Sequence, residues 1–122
     1  MLSIRVNGPK GKSVFAEKQY QKGDLIEKSP IIVIPSSQWP YIEKTEIFNY
    51  CYDWADNNSA VGLGYVSLYN HSYHPNAAYK KNFQDQLIEI YAINDIKPDE
   101  EITVNYNGNP EDKGEMWFNV VD

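Results

Sequence analysis

The chain has 122 residues, 29 of them Leu, Ile, Val or Phe, which gives one domain a modest core and argues against both two independent cores and a wholly disordered chain. A net charge of −6 argues against nucleic acid as a direct partner, and the lone Cys51 excludes an internal disulfide or a cysteine-rich zinc cluster. The longest aliphatic run, Ile31–Ile34, is far short of a membrane span or a signal core, so an intracellular, cytoplasmic protein with no membrane partner, or one whose signal was removed, is expected.

Leu2–Val6 and Ser13–Ala16 alternate as strands on either side of the Gly8–Gly11 turn. Leu25–Ile34 is rich in β-branched residues and ends at Pro35, as a long strand would. Residues 36–46 and 59–70 are the two stretches capable of helical turns. Ile47–Trp54 fits both strand and helix spacing, and the alternation of Phe48, Tyr50, Tyr52 and Trp54 favours a strand. Asn76–Phe83 and Leu87–Ile93 read as a hairpin that turns Ile88, Ile90 and Ala92 inward. Glu101–Tyr106 reads as a strand with Ile102, Val104 and Tyr106 on one face and Thr103 and Asn105 on the other. The chain is therefore mostly β with short connecting helices.

Charge is uneven. Residues 1–28 carry six bases and three acids, whereas Asp95–Asp122 carries eight acids and two bases, a field that favours basic ligands or simply keeps the protein soluble. His71 and His74 form an H-x-x-H pair, but no third ligand shares their element and Pro75 disfavours the helix that would join them, so no metal site is assigned. Asn70 and Asn76 carry amides that donate and accept at once, which suits either a zwitterionic ligand or a turn.

Three segments occur in order: Gly11-Lys12-Ser13-Val14-Phe15-Ala16, then Asn70-His71-Ser72-Tyr73-His74-Pro75-Asn76, then Glu100-Glu101-Ile102-Thr103-Val104-Asn105-Tyr106. Together they resemble the SET family of protein lysine methyltransferases, in its minimal viral or bacterial form. The resemblance implies a single SET domain over 1–122, with a core at about 4–106 and a short tail at 107–122 like the segment that follows SET cores. It implies a fold of several short curved sheets with short helices and a C-terminal pseudoknot. It implies S-adenosylmethionine as cofactor, contacted by Lys12, Ser13, Asn70 and His71, and Tyr106 as the catalytic tyrosine. Tyr50, Tyr52 and Trp117 would bind the substrate lysine, with Trp117 and Phe118 closing the channel. The expected substrate is a basic, histone-like protein or peptide; a homodimer stays open.

Two departures stand out. Ser13 replaces a glycine usual in the first motif, and Tyr73 stands where a cysteine often follows Asn-His-Ser. The rival reading is a catalytically inactive SET-like module that binds basic peptides. Retention of Asn70, His71 and Tyr106 together favours the enzyme, because a binding module has no use for cofactor residues.

Overall fold

Apolar alternation at the N-terminus produces an antiparallel ribbon of β1 (Leu2–Val6) and β2 (Lys12–Ala16), in register from Leu2 opposite Ala16 to Val6 opposite Lys12. Its turn requires left-handed backbone at Gly8 and Gly11, which only glycine adopts without cost. The computed structural model describes residues 1–6, 8–116 and 120.

The principal sheet is organised by β3 (Leu25–Ile34), whose ten residues serve two partners in succession. Leu25–Pro30 pair with β8 (Leu87–Ala92), and Ile31–Ile34 pair with β5 (Ser59–Gly62). β4 (Cys51–Asp53) and β7 (Ala77–Asn82) complete the order β4-β5-β3-β8-β7. A bulge between Leu25 and Glu27 allows Ile26 to pack on the core while Glu27 is also drawn inward. The β7–β8 hairpin forms as its alternation predicts, with Ile88 and Ile90 fully buried and Ala92 nearly so.

Three sequence expectations change. Residues 59–70 contain β5 followed by turns rather than a helix, because Ser59–Gly62 are captured between β3 and β4. Ile47–Trp54 is split: Glu46–Tyr50 is a 3-10 turn and only Cys51–Asp53 is strand, so both periodicities were present in one aromatic stretch. The helical potential of 36–46 yields a 3-10 turn at Ser36–Gln38 and a single α-turn, α1 (Trp39–Ile42), with Pro40 in its first turn.

A further correction concerns Glu101–Tyr106. Only β9 (Thr103–Val104) is strand, paired in parallel with β6 (Asn70–His71). Ile102, Thr103, Val104 and Asn105 are all buried, so there is no solvent face and the apolar–polar alternation of the sequence has no counterpart in burial. The cause is enclosure. The Ile102 N–H donates to the Val14 carbonyl at 2.8 Å and the Ser72 N–H donates to the Val104 carbonyl at 3.0 Å, which places the returning chain between β2 and residues 70–72.

Asn76 completes this enclosure. Its Nδ2 donates to the Glu101 carbonyl at 2.8 Å, and its Oδ1 accepts from the Thr103 N–H at 2.9 Å. One side chain thus supplies what a neighbouring strand would. The tail threading expected of a pseudoknot falls partly on residues 117–119, 121 and 122, which lie outside the described residues. Asn76→Ala strands a donor and an acceptor in a half-buried position and should cost roughly 2–4 kcal/mol, read as a lower urea midpoint with unchanged m.

Candidate active site

Aromatic residues from five parts of the chain surround a cavity of about 220 Å³. Fully buried Val66 and Tyr69, together with Tyr106, form its inner wall; exposed Asn49 and Asp53 stand at its outer edge. Tyr50, at the end of the 3-10 turn, and Tyr52, on β4, both line it. The Tyr52 ring meets Tyr79 edge-on at 5.0 Å, and its hydroxyl donates to the Val66 carbonyl at 2.7 Å. Tyr50 and Tyr52 therefore share one wall system with Tyr106, whereas Trp117 lies outside the described residues.

Tyr106 is gripped at both ends. Its hydroxyl donates to the Tyr69 carbonyl at 2.7 Å, and its backbone N–H donates to His71 Nδ1 at 3.0 Å. The His71 ring is only 3% exposed and stands between Tyr73 and Tyr106, with centroid distances of 4.5 and 5.2 Å. Its side chain thus braces the tyrosine rather than facing outward.

Asn70 lies between the two residues that grip Tyr106. Its Nδ2 reaches the Lys12 carbonyl at 3.2 Å, Ser13 Oγ at 2.9 Å and Glu101 Oε2 at 2.8 Å. Lys12, Ser13 and Asn70 are thereby brought together, though the Lys12 side chain points into solvent and Ser13 is fully buried. The hydroxyl that replaces a glycine has become an acceptor for Asn70. Glu101 also takes the Lys10 ammonium at 3.1 Å in a pair that is less than one-fifth exposed. Sequence reasoning passed over Glu101 because turn-plus-acid strings are common; the signal available was its bracketing by the buried strand that follows.

Several other wall residues were also missed. Tyr79 and Lys81 share the inward face of β7 with Ala77, which the hairpin alternation could have indicated. Burial lowers the Lys81 ammonium from its ordinary range, with Asp53 opposing the shift. Tyr73, standing in the usual cysteine position, donates to the Gly114 carbonyl at 2.9 Å and so ties the tail to the His71 ring. His74 is exposed in a bend.

The tyrosines are hard to ionise. Burial pushes the Tyr106 hydroxyl up to about 12, with a hydrogen bond from the His71 backbone pulling the other way, and burial raises Tyr52 and Tyr69 further. Tyr106 is a neutral hydrogen-bonding group at ordinary pH, suited to orienting a reactant rather than to holding a negative charge.

A SET domain model matches residues 11–107. A histone-lysine N-methyltransferase of Schizosaccharomyces pombe, specific for H3 lysine-37, is 30% identical over 118 residues, covering 96% of this chain and 76% of that protein. A crystal structure from Plasmodium falciparum, of a candidate histone methyltransferase, superposes with a TM-score of 0.72 at 28% identity, covering 89% of this chain and 99% of that one. The chain belongs to the SET-domain family, and its class is that of the protein-lysine N-methyltransferases. The mostly β architecture and the family read from the sequence are both borne out.

The raised tyrosines define an alkaline limit. A group whose folded pKa lies above its unfolded value of about 10 contributes stability that is complete below that value and is lost as pH rises through the folded pKa. Stability should therefore fall between about pH 10 and 12. A tyrosinate absorbance titration run beside thermal melts should show Tyr106 ionising only as the fold is lost, and Tyr106→Phe should flatten that decline.

Proposed function

We propose that the protein transfers a methyl group from S-adenosylmethionine to a lysine of a basic, histone-like protein, with Tyr106 as the catalytic residue. The observation that carries this reading is the direct linkage of two parts. An aromatic cavity ends at Tyr106, and Asn70, whose cluster lies beside it, stands between the two residues that hold Tyr106.

The cluster suits the amino-acid end of that cofactor. A zwitterion needs both signs of charge, and Lys10 and Glu101 provide them beside the Asn70 amide. The Asn70 side-chain oxygen, Oδ1, makes no hydrogen bond among the described residues and faces the same cluster as a candidate acceptor for an ammonium group. When bound, S-adenosylmethionine supplies a methyl group already activated on a sulfonium.

The protein then has to orient a neutral amine. Free lysine has a pKa near 10.4, so at pH 7 only roughly one amine in a few thousand carries a lone pair. Tyr50, Tyr52 and Tyr79 offer ring faces that attract an ammonium and walls that remove its water, which favours loss of its proton. Tyr106, its proton already directed at the Tyr69 carbonyl, turns its hydroxyl oxygen to accept from the entering nitrogen. This fixes the direction of the lone pair, and orientation of this kind contributes several kcal/mol to a displacement. Eight acids against two bases from Asp95 to Asp122 would hasten the encounter with a basic protein.

The test is transfer of labelled methyl from S-adenosylmethionine to core histones, with the modified residue located by mass spectrometry. Tyr106→Phe keeps the ring and loses the oxygen, so kcat should fall on the order of ten- to a thousandfold with little change in cofactor affinity. Wild-type turnover in a folded variant would exclude the catalytic assignment. Asn70→Ala should instead weaken cofactor binding by about 1–3 kcal/mol in calorimetry; unchanged affinity would remove Asn70 from the cofactor site.

A further inference from the structure

Glu27 carries a carboxyl group into a place where none is needed for packing. It sits on the inward side of β3 just after the bulge and has no ion-pair partner among the described residues. Burial raises its pKa, so the fold bears a cost for keeping it there. What it touches is the segment that presents the active-site tyrosine. Glu27 Oε2 accepts from the Tyr65 N–H at 2.7 Å, and Glu27 Oε1 accepts from the Tyr69 hydroxyl at 2.9 Å. The carbonyl of that same Tyr69 takes the Tyr106 hydroxyl at 2.7 Å.

We infer that Glu27 is a positioning residue for Tyr106, acting through Tyr69: it clamps both ends of residues 65–69 and so fixes the carbonyl that aims the Tyr106 hydroxyl. The inference rests on the catalytic reading of Tyr106 given above. The surrounding contacts fit a clamp. The Gly64 N–H donates to Ser29 Oγ at 3.0 Å, and the Tyr52 hydroxyl holds the Val66 carbonyl between the two clamped ends. Gly64 itself lies against the carboxyl group, where an added Cβ would come within 2.2 Å of Glu27 Oε2. Position 64 thus admits glycine for the sake of the side chain opposite it.

The essential property is a side chain that hydrogen-bonds Tyr65 and Tyr69 at once. In Glu27→Gln the amide oxygen still accepts from Tyr65, and the amide N–H donates to the Tyr69 hydroxyl, so both ends stay tied. In Glu27→Ala both are released, and a small displacement of the Tyr69 carbonyl misdirects the hydroxyl at the reacting nitrogen. A purely structural glutamate predicts something different: a lower melting temperature, and wild-type turnover in the fraction that is folded.

The experiment measures kcat, KM for a histone substrate and Kd for S-adenosylmethionine in the full chain, well below each variant's melting temperature. Glu27→Ala should lower kcat about 10- to 100-fold while cofactor Kd moves less than about threefold, and Glu27→Gln should recover kcat to within about threefold of the unaltered protein. Gly64→Ala, which forces the carboxyl group aside without removing it, should lower kcat in the same sense; it carries the test if Glu27→Ala does not fold. Unaltered kcat in folded Glu27→Ala or Gly64→Ala overturns the positioning role and leaves the proposed function standing. Absence of methyl transfer by the unaltered protein overturns the proposed function and this role with it.

Discussion

Tyr106 is held by the residues on either side of Asn70, at its hydroxyl by the Tyr69 carbonyl and at its backbone by the His71 ring. Because the two holding residues flank Asn70 in the chain, the tyrosine and the Asn70 amide cannot move independently. A reaction that requires two bound partners to meet within a fraction of an ångström benefits from such coupling, since an error in one half of the site would otherwise add to an error in the other. The rest of the fold keeps this stretch in place: β9 beside it, Asn76 clipping β9 from the far side, and Glu101 drawing Asn70 toward β2.

The abundance of tyrosine has a second explanation beside core filling. Tyr52, Tyr73, Tyr79 and Tyr106 each donate a hydroxyl proton to a main-chain carbonyl, at Val66, Gly114, Tyr106 and Tyr69 respectively. All four acceptors belong to segments outside the principal sheet, where backbone groups lack ladder partners. A long aromatic side chain with a polar tip can cross the space between loops and satisfy such a carbonyl while its ring excludes water. Among the described residues, with one α-turn and many short strands, tyrosine does the bonding that longer elements would do internally.

This also explains which parts were legible in the sequence. β3 and the β7–β8 hairpin have a period of two, clear punctuation and one buried face, so their bounds and inward residues could be read directly. Ile47–Trp54 could not be read, since its aromatics are placed by the cavity they line and not by one local period. Glu101–Tyr106 misled for the opposite reason: its alternation is real, but neighbours from three other segments bury both faces. Lys12, Ser13, Asn70, His71 and Tyr106 were found through ordered motifs and do meet in space. The inward turn of His71, and the parts taken by Glu27, Tyr69 and Glu101, depend on contacts between residues more than 30 positions apart, which no local pattern encodes.

The parallel pairing of β6 with β9 joins Asn70 to Thr103 and His71 to Val104, across a span that includes the whole β7–β8 hairpin. Closing so large a loop for so few ladder bonds is entropically expensive until the buried side chains around it are all present. The hairpin and the β1–β2 ribbon can form from neighbouring residues, but the proposed methyl-transfer centre cannot. During synthesis it has no existence until the segment around Tyr106 has left the ribosome and returned to β2, so the chain acquires its fold first and its chemistry last.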